Sequence, residues 1–258
     1  LVSTVSDNTA VGKAAMLENT TGICNTSLGR TSMELNTTGS CNVAVGTDAL
    51  ANNTTASNNI AIGFKSMLAN TTGTANTSLG TCTLITNTTA NENTAIGFKA
   101  LLSNTSGDDN TAVGAYALDA NTEGDNNTSV GMDSLSISTT ASNNTAVGYE
   151  AARNTTTGGN NTAVGFCALR TNTTATSGVA IGMKSLSINT EGEKNTAVGT
   201  CSMCKNTTGD FNVAMGFQAL CANTTANDNT AVGYLALCLN ATGAINAAFG
   251  GYALQNNT

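Results

Sequence analysis

The chain has 258 residues, of which 10% are charged and 4% aromatic; it contains no Pro, Trp or His, and its formal net charge is −7. The absence of His removes most triads, general acid–base pairs and zinc sites, and nine Lys+Arg argue against a nucleic-acid partner. No apolar run approaches the ~18 residues that would span a bilayer, and charge this low separates the chain from disordered ones.

From the N-terminus, the first recognisable element is Asn8-Thr9-Ala10-Val11-Gly12, which returns as Asn25-Thr26-Ser27-Leu28-Gly29 and Asn42-Val43-Ala44-Val45-Gly46, and onward to Asn246-Ala247-Ala248-Phe249-Gly250. Its glycines are Gly12, Gly29, Gly46, Gly63, Gly80, Gly97, Gly114, Gly131, Gly148, Gly165, Gly182, Gly199, Gly216, Gly233 and Gly250. Every step is 17 residues, without insertion or deletion, across 15 copies, the last cut short. Residues 1–7 fill positions 11 to 17 of a degenerate preceding copy, and residues 8–258 read as a single solenoid. A solenoid without caps exposes adhesive edges, so the expectation is a fragment of a longer fibre or filament.

The unit is N-T-A-V-G-x-x-A-L-x-x-N-T-T-G-x-x, numbered from its first Asn. Position 1 is Asn8, Asn25, Asn42, Asn59, Asn76, Asn93, Asn110, Asn127, Asn144, Asn161, Asn195, Asn212, Asn229 and Asn246, with Gly178 the one exception. Position 2 is β-branched in 14 of 15 copies, which predicts an extended segment there. Position 3 is always Ala or Ser, position 4 always a larger apolar residue, and position 5 always Gly, the expected positive-φ corner. Position 8 is Ala, Ser or Thr, and position 9 is Leu or Met except at Ala152. Position 12 is Asn in 13 of 15 copies and opens the Asn-Thr-Thr-Gly turn, because Asn tolerates the left-handed region and bonds local backbone. Positions 6, 7, 10, 11, 16 and 17 vary freely.

Seventeen residues are too few for a helix pair. Two short extended segments and two corners describe one coil of an all-β, parallel β-solenoid, with 15 coils stacked about 4.8 Å apart into a rod of about 70 Å. The two Asn columns become internal amide ladders, which are structural. Strand side chains alternate between faces, yet positions 2 to 4 are restricted on both. The strand is therefore expected to be buried on both sides, by its own interior and by a partner chain, in a homo-oligomer with a three-fold axis.

The remaining candidates are weak. Cys24, Cys41, Cys82, Cys167, Cys201, Cys204, Cys221 and Cys238 follow neither a disulfide framework nor a paired zinc pattern. Cys204, Cys221 and Cys238 share position 10 in three consecutive coils. In register their Cβ atoms would lie ~4.8 Å apart, outside the disulfide range of about 3.5–4.5 Å, which favours free thiols over disulfides; a copper or zinc thiolate stripe is the less favoured alternative. Sequons at Asn19, Asn36, Asn53, Asn70 and Asn206 follow from the turn itself, and exposed ones could carry glycans. Position 6 is often large (Phe64, Phe98, Met132, Tyr149, Phe166, Met183, Phe217, Tyr234), which reads as packing before carbohydrate stacking. Asp108, Asp109 and Asp125 lack a calcium-solenoid pattern and read as a solvated face. No catalytic, cofactor or metal site emerges, and the chain is expected not to be an enzyme.

The motif Asn-Thr-Ala-Val-Gly-x-x-Ala-Leu resembles the head repeat of the YadA-type trimeric autotransporter adhesins, with Gly178-Val179-Ala180-Ile181-Gly182 the nearest local match. The longer Asn-Thr-Thr-Gly form, as in Asn195 to Gly209, is similar to phage and giant-virus fibre repeats. The resemblance implies a left-handed β-roll and a trimer; the longer unit departs from it. Together these lead to a structural fibre or adhesin rod, extracellular on a virion or cell surface, that spaces or presents receptor-binding elements. Expected partners are further copies of the chain, an end-to-end neighbour, and a host-surface receptor or glycan, without nucleic acid or membrane insertion. The abundance of thiols favours a viral or phage fibre over a secreted adhesin. Alternatives are a self-assembling filament and an ice-binding solenoid using the Thr columns at positions 13 and 14. A hexapeptide-type acyltransferase would need a six-residue period and a catalytic His, both absent.

Overall fold

A computed structural model describes residues 7–257, so the preceding-coil reading of residues 1–7 lies, apart from Asp7, outside the described residues. The chain divides into two compact units, Leu1–Asn127 and Thr128–Thr258. The first holds β1 (Thr9–Val11), β2 (Thr26–Leu28), β3 (Val43–Val45), β4 (Ile60–Ile62), β5 (Thr77–Leu79), β6 (Thr94–Ile96) and β7 (Thr111–Val113). The second holds β8 (Thr128–Val130), β9 (Thr145–Val147), β10 (Thr162–Val164), β11 (Val179–Ile181), β12 (Thr196–Val198), β13 (Val213–Met215), β14 (Thr230–Val232) and β15 (Ala247–Phe249). Within each unit, successive strands pair in parallel and in register, as in Thr9↔Thr26 and Thr162↔Val179. This is the expected parallel β-solenoid with one 17-residue coil per repeat, and no helix occurs among the described residues. Accordingly, none of them forms a helix long and apolar enough to cross a membrane.

Each coil contains one three-residue strand at positions 2–4, not the two extended segments expected. The rest of the coil is tight turn, yet its backbone is still paired to its neighbours. The Thr31 N–H at position 7 donates back to Lys13 O at 2.9 Å, and the Met33 N–H at position 9 donates forward to Ala49 O at 3.0 Å. The Cys41 N–H at position 17 donates back to Ile23 O at 3.0 Å. Pointing these groups alternately up and down the stack requires left-handed residues, and every described coil has them at positions 7, 9 and 17. Leu50 (φ 51°), Lys65 (φ 54°) and Phe211 (φ 57°) are examples. The turn Asn at position 12, expected to be left-handed, is not. Each non-Gly left-handed residue costs about 1–2 kcal/mol. The inter-coil hydrogen bonds offset that cost, because a buried unpaired backbone group costs as much or more.

In each unit the core is a narrow column of side chains. The largest fully buried side chains, including Leu101, Leu118, Leu186 and Met203, all occupy position 9. The Ala, Ser or Thr of positions 3 and 8 is buried with them in the inner coils. Where position 3 is Ser its hydroxyl is satisfied within the coil, as Ser27 Oγ donates to Ser32 O at 2.8 Å.

Two amide ladders complete the interior. At position 1, Asn42 Oδ1 accepts from the Asn59 N–H at 2.9 Å, and Asn42 Nδ2 donates to Ala56 O at 2.8 Å. At position 12, Asn53 Nδ2 donates to Asn36 Oδ1 at 2.7 Å and also to Ala56 O at 3.0 Å. Both ladders thus converge on the position-15 carbonyl of their own coil and hold the Asn-Thr-Thr-Gly turn closed. Gly178 breaks the first ladder: its N–H still reaches Asn161 Oδ1 at 2.9 Å, but it offers no oxygen to Asn195 and no amide to Gly192 O. Its φ is not in the left-handed region, and an added Cβ would meet only Asn161 Oδ1, at 3.2 Å. Gly178→Asn should therefore stabilise the chain by about 1–2 kcal/mol, by restoring hydrogen bonds and removing unfolded-state freedom. A urea midpoint equal to or below the parent's would refute the ladder account.

Candidate functional site

Strand alternation turns position 3 inward and positions 2 and 4 outward, so Ala180 is 0% exposed while its neighbour Ile181 is 39% exposed. Position 4 is apolar in every coil, and much of it remains accessible: Leu28, Leu79, Val147, Ile181 and Met215 are all exposed. In an isolated chain nothing on that face would exclude a polar residue, and none is present. Across the corner glycine, position 6 adds a second row. Phe64, Phe98, Met132, Tyr149, Phe166, Met183, Phe217 and Tyr234 are each exposed, at 39–48%. In the second unit both rows are nearly continuous, with Val130, Val147, Val164 and Ile181 beside Met132, Tyr149, Phe166 and Met183. Contiguous exposed apolar surface of this kind marks an interaction site, whereas scattered residues do not.

The coil spacing also places rings against one another. Tyr149 and Phe166 stack with centroids 5.4 Å apart and planes 12° apart, and Phe217 and Tyr234 do the same at 5.5 Å. In the first unit Phe98 and Tyr116 meet edge to face at 5.4 Å, and cations also lie over the rings. Lys65 Nζ lies 5.2 Å from the Phe64 centroid, and Lys99 Nζ lies 5.3 Å from that of Phe98. The large residues at position 6 carry this signal in the sequence, and the cations at position 7 (Lys65, Lys99) do not stand out there, because that position varies freely.

The other sequence candidates resolve as follows. The position-5 glycines have φ between 117° and 145°, and position-1 Asn side chains bond to the next coil, as Asn25 Oδ1 accepts from the Asn42 N–H at 2.9 Å. The sequon residues Asn36, Asn53, Asn70 and Asn206 are fully buried with their Nδ2 atoms donating within the ladder, so glycosylation at these positions is incompatible with the folded coil. Asp108 and Asp125 cap backbone: Asp108 Oδ1 accepts from the Asn91 N–H at 2.6 Å, and Asp125 Oδ1 from the Asp108 N–H at 2.8 Å. The position-13 hydroxyls are also engaged, as Thr20 Oγ1 donates to Thr37 O at 2.9 Å. A hydroxyl committed along the stack is not free to donate to ice, which weakens the ice-binding alternative.

All eight cysteines are free thiols. Cys167 is buried and donates to Glu150 Oε2 at 3.7 Å, and Arg170 Nε holds that same oxygen at 2.7 Å. Burial first, and then the Glu150 carboxylate, push the Cys167 thiol above its ordinary range. Among the described residues no group of three or more Cys, Asp or Glu is arranged to hold a metal ion. The sulfur atoms of Cys204 and Cys221, by contrast, approach to 3.6 Å, closer than strand spacing alone suggested.

No protein-family model matches the sequence, and no curated protein is significantly similar to it. The class that the geometry defines is that of in-register parallel β-solenoid repeat proteins.

Proposed function

We propose that the chain is a structural fibre element, a shaft or head segment that assembles with two further copies of itself and spaces or presents receptor-binding elements at a virion or cell surface. The observation that carries this reading is the outward apolar stripe of positions 4 and 6, restricted in every coil at position 4 although the isolated chain leaves that position half-buried or exposed. Burial of such a stripe against equivalent copies removes large side chains from water at about 25 cal/mol per Å². In-register stacking supplies a repeated surface, so a contact made by one coil is made by the next. The likeness of the repeat to YadA-type heads supports three copies over two. On this reading the protein has no catalytic role, binds no nucleic acid and inserts into no membrane, and a receptor or glycan is engaged by the assembled fibre.

Native mass measurement tests the proposal. The expected result is a discrete trimer that shifts to monomer in Val147→Asp/Ile181→Asp, since both side chains are accessible in the single chain and a carboxylate there harms only an interface. A parent protein that runs as a monomer sinks the proposal, and indefinitely long fibres would favour end-to-end assembly in its place.

A further inference from the structure

Cys204, Cys221 and Cys238 occupy position 10 of three successive coils in the second unit, with Cys201 at position 7 of the first of these and Lys205 beside Cys204. The Cys204 and Cys221 sulfurs are 3.6 Å apart, both residues are half-buried, and each remains partly open to solvent. Adjacent coils stand about 4.8 Å apart, inside the 4.4–6.8 Å between Cα atoms that a disulfide accepts. The sulfurs are already in contact, so side-chain rotation, with the two Cβ atoms drawing together by a few tenths of an ångström from the ~4.8 Å of an in-register stack, brings them to bonding distance.

We infer that the Cys204–Cys221 pair is a thiol-exchange site that reacts with low-molecular-weight disulfides and closes into a covalent staple between consecutive coils. The two thiols are not equivalent. Cys221 is the easier to ionise, because the Cys204 thiol donates a hydrogen bond to it, and because the Lys205 ammonium and the Cys238 thiol further favour the anion, against an opposing contribution from burial. Cys204 holds its proton correspondingly more tightly, through that same hydrogen bond and through burial. Cys221 is thus the attacking sulfur. Its thiolate displaces one thiolate from a disulfide RSSR and forms a mixed disulfide. Cys204, losing its proton to the departing thiolate or to water, then attacks the Cys221 sulfur and expels the second RSH. In sum, two protein thiols give up two electrons and two protons, and RSSR becomes two RSH.

The chain's tryptic map makes the test direct. Lys205 is the last Lys or Arg, so residues 195–205 carry Cys201 and Cys204, and residues 206–258 carry Cys221 and Cys238. The native full-length protein is incubated with glutathione disulfide, quenched in acid, digested and analysed by mass spectrometry. The expected product is the two peptides joined, with fragmentation placing the bond at Cys204–Cys221. The internal bond should exceed the glutathione adduct at Cys221 by about ten-fold or more, since a neighbouring thiol has an effective concentration of millimolar or above. Cys82, whose position-7 neighbours in adjacent coils are Lys65 and Lys99, should stop at the glutathione adduct. The crosslink should survive in Cys201→Ser and vanish in Cys204→Ser, with an unchanged circular dichroism spectrum showing that both variants fold. Adducts at both Cys204 and Cys221 without a crosslink would overturn the inference, as would a crosslink retained in Cys204→Ser or one formed equally well in the guanidinium-unfolded chain.

Discussion

Gly165→Ala should destabilise the second unit by about 3 kcal/mol or more, read as a fall in the urea midpoint. Gly165 has φ +133°, a conformation open to Gly and strained by ~1–3 kcal/mol for other residues. Space is the second obstacle. A Cβ there would lie 2.7 Å from Gly182 O and 2.8 Å from Gly182 C, both backbone atoms of the next coil. No rotamer change relieves such a contact; the coils must separate. Separation would lengthen the bonds across that junction, from the Gly182 N–H to Val164 O and from the Thr162 N–H to Gly178 O, each 2.8 Å. Because a repeat array is held by nearest-neighbour contacts, the loss should appear as a weakened junction rather than a uniformly softened chain. Gly251→Ala is the matched control: its added Cβ would meet nothing nearer than Tyr234 O at 3.9 Å, so its midpoint should barely move. Equal midpoints for the two variants would show that the corner has more room than the geometry allows.

Asn42→Ala should cost about 3 kcal/mol in the first unit. The substitution removes the oxygen that pairs with the buried Asn59 N–H, and a buried orphan donor costs about 1–3 kcal/mol. It also removes the Nδ2 bonds to Ala56 O and Asn25 Oδ1, each worth about 1 kcal/mol net. Ala56 O keeps its second partner, Asn53 Nδ2, which limits the total. Asn42→Asp gives a sharper readout. A carboxylate preserves the acceptor for Asn59 but turns an oxygen against Ala56 O in a fully buried site, so burial and that carbonyl raise the folded-state pKa of the introduced carboxyl. A folded pKa above the unfolded one gives a contribution that is complete below the unfolded value, near 3.9, and is lost as pH rises through the folded value. The Asp variant should therefore recover stability relative to its parent on going from pH 7 to pH 4. A pH-independent difference would contradict burial of the ladder.

The particular residues show how much of this was legible in advance. The strict 17-residue step of Gly12, Gly29, Gly46 and their successors permits only an in-register stack, and the parallel pairing follows it coil by coil. The Asn ladders were legible because a buried amide must find partners, and its own copy one coil away is always in reach. The left-handed backbone at Lys65 or Phe211 was not, since positions 7 and 17 carry no consistent residue type and the conformational preference is only about 1–2 kcal/mol. Inter-coil hydrogen bonding overrides it. The second expected strand was absent for the same reason: beyond Gly the backbone pairs up and down the stack through left-handed turns rather than through extended residues.

Composition and period alone thus determined that the chain is a parallel solenoid built on glycine corners and Asn columns, because repetition at fixed length propagates any local geometry unchanged. Tertiary structure decided the rest: which residues take left-handed backbone, which face of the strand is left open, and that Cys204 and Cys221 meet at 3.6 Å. These depend on the direction of each N–H and side chain relative to the next coil, which letters repeated along one dimension do not encode.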